Sequence, residues 1–175
     1  GGLEAILQVS VKDILKGLAD NSKDPVFNKA LDDADELQKS SQDDYIESFY
    51  VAFDAIKGDK KLASPDIFAT RSLVEAGTVK IGMSDDEVKS ALTKKIDESI
   101  NSALQVLRTR IDQFGVASPN IQRLGSSGRI LVELPGVKDV ERAKALITGT
   151  AELEFWFGYK AQDLGQYFQT LNESL

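Results

Sequence analysis

One stripe of apolar residues constrains this chain more than any other feature. Val88, Leu92, Ile96, Ile100, Ala103 or Leu104, Leu107, Ile111 and Phe114 recur in steps of three and four, the spacing of one face of a helix with about 3.6 residues per turn. Ser84-Asp85-Asp86-Glu87 stands ahead of the stripe as a capping box, in which the serine hydroxyl accepts from the Glu87 amide and the Glu87 carboxylate reaches back to the Ser84 amide. Gly115 supplies the left-handed position just past the end, and Val116 can touch back onto the last turn. A helix this long and one-sided needs an apolar layer to cover.

Strands on both sides of it in sequence supply that layer. Leu3, Ala5, Leu7, Val9 and Val11 alternate with Glu4, Ile6, Gln8 and Ser10, the period of a half-buried strand. After the long helix, Pro119 to Leu124 and Arg129 to Leu134 flank Gly125-Ser126-Ser127-Gly128 and read as a hairpin. Pro135-Gly136 breaks it. Asp139 then opens a helix with Val140, Ala143, Leu146 and Ile147 on one face, and Gly149 is expected to close it. A last strand is predicted over Ala151 to Phe157, with Leu153, Phe155 and Phe157 opposite Glu152, Glu154 and Trp156, and a terminal helix over Gln162 to Leu171.

Between the first strand and the long helix the pattern is helical. Val11, Ile14, Leu15 and Leu18 start it. Asp24-Pro25 gives an N-cap followed by proline at the first helical position, ahead of a stripe of Phe27, Ala30, Leu31, Ala34 and Leu37. Ser41 is a candidate cap for a helix carried by Tyr45, Phe49, Ala52, Phe53 and Ile56 and stopped by Gly58. Residues 59–83 fit neither period and are read mostly as loop. With this helical insertion set aside, the order is strand, long helix, strand, strand, helix, strand, which is the split βαβ arrangement of a ferredoxin-like fold. The expected class is α+β, an antiparallel sheet of order 4-1-3-2 with helices on one face. The expected division is a base of residues 1–11 and 95–157, an insertion of residues 12–94, and a C-terminal segment of residues 158–175.

Composition removes whole classes of chemistry. With no histidine and no cysteine among 175 residues, the chain cannot build a His- or Cys-ligated zinc site, a Ser-His-Asp triad, a Cys-His pair or a disulfide. A net charge of -7 from 21 bases and 28 acids argues against nucleic acid, which needs clustered positive charge. Residues 12–94 hold 17 acids and 12 bases, a balance of -5, which leaves 11 and 9, a balance of -2, for the rest. The insertion therefore carries most of the acidity. Met83 is the only methionine, so the chain reads as a piece of a longer protein. No run approaches the roughly 18 apolar residues of a membrane span, and no leader pattern opens the sequence.

The remaining motifs have structural explanations. Asp32-Asp33-Ala34-Asp35-Glu36, Asp43-Asp44 and Asp85-Asp86-Glu87 lack the alternating oxygens around a glycine of a calcium loop; the last two fall in first helical turns, where acids suit the helix dipole. Gly125-Ser126-Ser127-Gly128 joins two strands, whereas phosphate loops lead into a helix N-terminus. Glu4, Glu133, Glu152 and Glu154 share an open sheet face without the cleft that would raise a carboxyl's pKa. Arg108 and Arg110 stand near a helix C-terminus, where cations are favoured, and Arg108 is spaced to pair with Asp112. Trp156, on the polar face beside Glu152 and Glu154, is a candidate interface anchor, and with Glu4 and Glu154 makes the candidate interface set. No catalytic, cofactor-binding or metal-ligating residue is assigned.

Three runs carry a resemblance. Leu107-Arg108-Thr109-Arg110-Ile111-Asp112-Gln113-Phe114-Gly115-Val116, Pro119-Asn120-Ile121-Gln122-Arg123-Leu124 with Arg129-Ile130-Leu131-Val132-Glu133-Leu134-Pro135-Gly136-Val137, and Thr150-Ala151-Glu152-Leu153-Glu154-Phe155 together resemble the SecD family of the Sec preprotein translocation machinery. Gly1-Gly2 before the first strand is similar too. The likeness covers roughly the first eleven residues and Lys95 to Phe157, and marks Gly2, Arg110, Gly115, Pro119, Gln122, Glu133, Pro135 and Gly136 as family-motif positions with architectural roles. It implies the base of the first extracytoplasmic domain of SecD, or of a fused SecD-SecF protein. The protein would be non-enzymatic and anchored by membrane segments outside this piece, on the periplasmic side of the bacterial inner membrane. It would assist proton-motive-force-dependent late steps of export. The implied partners are SecF, the SecYEG channel and the exported unfolded polypeptide, and an open edge strand would suit pairing with an extended chain. The likeness implies no cofactor. The main alternative is an extracytoplasmic ligand-sensing or protein-interaction module on the same fold. An acylphosphatase-type hydrolase would need an arginine in a phosphate loop after the first strand, where this chain has Ser10-Val11-Lys12-Asp13.

Overall fold

The computed structural model gives residues 1–154 and the backbone of residues 166–174. Chain contacts divide it into two compact units, Gly1–Ser10 with Asp97–Leu175, and Val11–Ile96. The architecture is α+β.

The first unit holds a four-stranded sheet of β1 (Gly2–Val9), β2 (Asn120–Arg123), β3 (Arg129–Pro135) and β4 (Gln166–Ser174), in the order β2-β3-β1-β4. β1 pairs antiparallel with β3 from Gly2↔Pro135 to Gln8↔Arg129, and β3 pairs antiparallel with β2 from Asn120↔Glu133 to Arg123↔Ile130. β1 and β2 thus run the same way with β3 between them. β4 pairs antiparallel with β1 on its other side, with a register shift between Glu4 and Ala5. Period-2 patterning decides which face is buried: Leu3, Ala5, Leu7 and Val9 of β1, Ile121 of β2, and Ile130, Val132 and Leu134 of β3 are all core residues. They share this core with Ile100, Ala103, Leu104, Leu107 and Ile111 of α5 (Asp85–Phe114) and Ala143, Ile147 and Ala151 of α6 (Val140–Glu154). Each such large side chain contributes about 1.5–3 kcal/mol on burial.

The second unit contains α1 (Val11–Leu18), α2 (Pro25–Gln38), α3 (Tyr45–Ile56), α4 (Arg71–Glu75) and the opening turns of α5. Its centre is aromatic. Phe27, Phe49, Phe53 and Phe68 are fully buried. Phe49 lies 5.8 Å from Phe27, 6.2 Å from Phe53 and 6.3 Å from Phe68, and edge-on contacts dominate, as ring quadrupoles favour. The helix starts follow from local chemistry. Asp24 Oδ1 accepts from the Phe27 amide at 3.0 Å with Pro25 next in chain. At the start of α5 the Glu87 amide donates to Ser84 Oγ and the Ser84 amide donates to Glu87 Oε1, both at 3.2 Å.

Several sequence expectations are corrected. Residues 151–154 continue α6 as helix instead of opening a strand, and the fourth strand is Gln166–Ser174, where a terminal helix was expected. Gly149 lies inside α6 and does not end it. The expected strand residues 155–157 lie outside the described residues. Asp44, not Ser41, precedes α3, and Ser41 Oγ accepts from the Asp43 amide instead. Residues 59–83 are not plain loop: they contain α4 and bury Leu62, Ile67, Phe68, Leu73 and Val79. These residues form turns whose backbone bonds are local, such as the Ile67 amide to the Ser64 carbonyl at 3.0 Å, so no helical or strand period betrays them.

Candidate interaction site

An outer strand offers a partner its unpaired amides and carbonyls, so the chemistry of the β2 edge is decisive for strand addition. The Leu124 amide bonds to the Arg129 carbonyl at 2.9 Å. By antiparallel alternation, Asn120 and Gln122 then face β3, while the backbone groups of Ile121 and Arg123 face outward. The Ile121 carbonyl is already taken, because Arg108 Nη2 of α5 donates to it at 2.9 Å. Arg123 folds its guanidinium back: Nε donates to the Ser127 carbonyl at 3.1 Å, Nη2 to the Ser126 carbonyl at 2.8 Å, and Nη1 to Asp97 and Asn101 of α5. Arginines thus blunt this short edge and clip the hairpin to the long helix. The expected Arg108–Asp112 pairing is replaced by the bond to Ile121.

The structure places the positions singled out by the resemblance as follows. Arg110 Nη1 donates to Thr150 Oγ1 at 3.1 Å, and Thr150, only 2% exposed, donates to the Leu146 carbonyl at 2.8 Å, which ties α5 to α6. Gly115 takes φ +90° at the end of α5, a conformation glycine adopts without cost. Pro119 immediately precedes β2, Gln122 is exposed on it, and Pro135 ends β3 opposite Gly2. A Cβ on Gly2 would come within 3.0 Å of the Leu134 carbonyl oxygen. Gly136 turns the chain out of the sheet with φ +72°.

Glu4 and Glu133 meet on the outer face of the sheet as direct cross-strand partners. Glu133 Oε1 accepts from Asn120 Nδ2 at 2.6 Å. Next to them stand Ile6 beside Leu131, then Gln8 beside Arg129. Of the other candidate interface residues, Glu154 is half-buried at the end of α6, away from the strand once expected to carry it, and Trp156 lies outside the described residues.

The acid clusters are largely engaged with lysines. Lys12 pairs with Asp35 at 2.6 Å and Asp32 at 3.6 Å, Lys29 with Asp33 at 2.9 Å, and Lys39 with Glu36 at 3.0 Å. Two further lysines secure helix starts, a feature that sequence reading missed. Lys60 bridges Asp24 at 2.8 Å and Asp66 at 2.9 Å; Lys57 holds Asp85 at 2.9 Å, whose other oxygen accepts from the Leu62 amide. Burial pushes the Asp24 carboxyl upward, but the Lys60 and Phe27 bonds outweigh it and hold it below the ordinary range. Asp85 is held low against the same burial by the Leu62 amide and Lys57. Among the described residues no group of three or more acids is arranged to hold a metal ion, and no helix is long and apolar enough to cross a membrane.

Comparison with known proteins places this geometry. Residues 100–158, which span the end of α5, the hairpin and α6, match the family model "Protein translocase subunit SecDF, P1 domain, N-terminal". A protein translocase subunit SecD from Rhodothermus marinus is 35% identical over 159 residues, covering 89% of this chain and 24% of that protein. The chain belongs to the SecD family. The SecD of Acetobacter pasteurianus is 31% identical over 173 residues, covering 89% of this chain and 30% of its own length, and that of Escherichia coli K12 is 45% identical over 73 residues, or 42% of this chain and 11% of its own. The chain thus spans less than a third of the length of each of the first two relatives. No solved structure matches it. Coverage of 89% cannot omit an 86-residue unit, so SecD proteins of at least these two bacteria align with the helical unit as well as with the sheet.

Proposed function

We propose that this chain is the first extracytoplasmic domain of a SecD or fused SecD-SecF subunit, a non-enzymatic module that assists proton-motive-force-dependent late steps of preprotein export. The observation that carries the reading is the alignment of proteins named SecD along 89% of the chain. Its position is the periplasmic side of the bacterial inner membrane, held by membrane segments elsewhere in the protein. Its partners are SecF, the SecYEG channel and the exported unfolded polypeptide. We read the sheet order β2-β3-β1-β4 with its two covering helices as the ferredoxin-like base of that domain. Residues Val11–Ile96 form its helical insertion. Gly2, Arg110, Gly115, Pro119, Gln122, Glu133, Pro135 and Gly136 shape the base, and Glu4, Glu154 and Trp156 are its interface residues.

The decisive measurement is made on the full-length subunit in membrane vesicles depleted of the native one. Completion of translocation of a secretory precursor is followed with and without a proton gradient. Full-length protein is expected to restore the gradient-dependent stage, and protein lacking this segment, inserted at equal level, is expected to leave precursor stalled. Equal completion by both would overturn the proposal.

A further inference from the structure

We propose that the outer face of the sheet is a self-complementary docking surface for a second copy of this chain. Alternation and register arrange β1 and β3 there in three rows: Glu4 beside Glu133, Ile6 beside Leu131, and Gln8 beside Arg129. The acidic row and the Gln8–Arg129 row lie two residues either side of the apolar one. None of the six side chains belongs to the core.

This spacing has a symmetry consequence. A two-fold axis lying between two such faces, across the strands and over the Ile6–Leu131 row, stacks the apolar pairs on each other. It also sets Glu133 of each copy against Arg129 of the other, and Glu4 against Gln8. The alternative axis, parallel to the strands, sets acid on acid and is disfavoured by like-charge repulsion. Charge thus selects one of the two arrangements. Like charges directly opposite one another on adjacent strands are unfavourable within a single chain. Asn120 supplies a neutral donor to Glu133 at 2.6 Å but no countercharge, and the facing guanidinium would provide one. Face-to-face sheets sit about 10 Å apart, within reach of arginine and glutamate side chains. A face this narrow buries less than about 1,200 Å² in total, the range of weak, transient association.

The test is sedimentation equilibrium of the whole 175-residue chain at concentrations up to the millimolar range. The expected behaviour is a monomer–dimer equilibrium with a dissociation constant on the order of 100 μM. R129E is expected to weaken it about tenfold and E133R similarly, with the double swap R129E/E133R returning it to within about threefold of the parent. L131E, which puts a charge in the central row, abolishes it. Circular dichroism of each variant confirms that the fold is kept. A strictly monomeric chain, a dimer indifferent to R129E, or a folded double swap that fails to restore association would each overturn the proposal.

Discussion

Among the described glycines, Gly128 has the least room for a side chain. A Cβ placed there would lie 2.6 Å from the Val9 carbonyl oxygen, and the Val9 amide donates to the Gly128 carbonyl at 2.8 Å, so backbone meets backbone where β1 ends. Gly128→Ala must push the hairpin turn off the strand, at a cost of about 1–3 kcal/mol. The thermal midpoint is expected to fall by several degrees, read by circular dichroism; an unchanged midpoint would mean that the strand end yields freely. The glycine was visible in the sequence as part of a Gly-Ser-Ser-Gly turn, but its contact was not, because the partner is a carbonyl more than a hundred positions away. The arginines show the same limit. Arg108 and Arg110 were legible as cations near a helix end, yet their actual partners, the Ile121 carbonyl and the Thr150 hydroxyl, carry no local signature. Arg123, which joins the hairpin to α5, was legible only as a strand residue.

At the scale of elements, what is encoded within a few residues was readable. The capping box of α5 and the Asp24-Pro25 start of α2 rest on contacts between near neighbours in sequence, and the alternation of β1 and β3 is a pattern written within each strand. The end of α6 does not, and there two periodicities compete. Leu153 alternates with Glu152 and Glu154 as a strand would, whereas Ala143, Ile147 and Ala151 keep a helical step of four, and the helix prevails. Leu153 is accordingly 62% exposed, on the helix flank instead of in a sheet core. Gly149 misled for a related reason: glycine commonly ends helices, but this one sits in the middle of Val140–Glu154. A Cβ there would meet no atom within 4 Å. Gly149→Ala is therefore expected to stabilise the chain by about 0.5–1 kcal/mol, by restricting the unfolded backbone and improving helix propensity. Urea unfolding should move to a higher midpoint with unchanged slope; a lower midpoint would show that the glycine serves a contact or a bend.

On the scale of the whole molecule, two cores must be accounted for. The sheet unit buries aliphatic side chains along β1, β3, α5 and α6, and the helical unit buries a cluster of phenylalanines of its own. Separate cores imply separable stability, since cooperative opening follows contiguous buried contacts. Phe49 is the sharpest probe, being fully buried with rings of Phe27, Tyr50, Phe53 and Phe68 around it. Phe49→Ala leaves a cavity that costs about 3–5 kcal/mol, a large fraction of the stability of a unit this size. Amide hydrogen exchange followed residue by residue is expected to show α2 and α3 losing most of their protection. The amides that join β1 to β3 should exchange at nearly the parent rate. If β1 and β3 lost protection in step with α2 and α3, the chain would be one cooperative body despite its two cores, and the helical unit would have to be regarded as a structural part of the base.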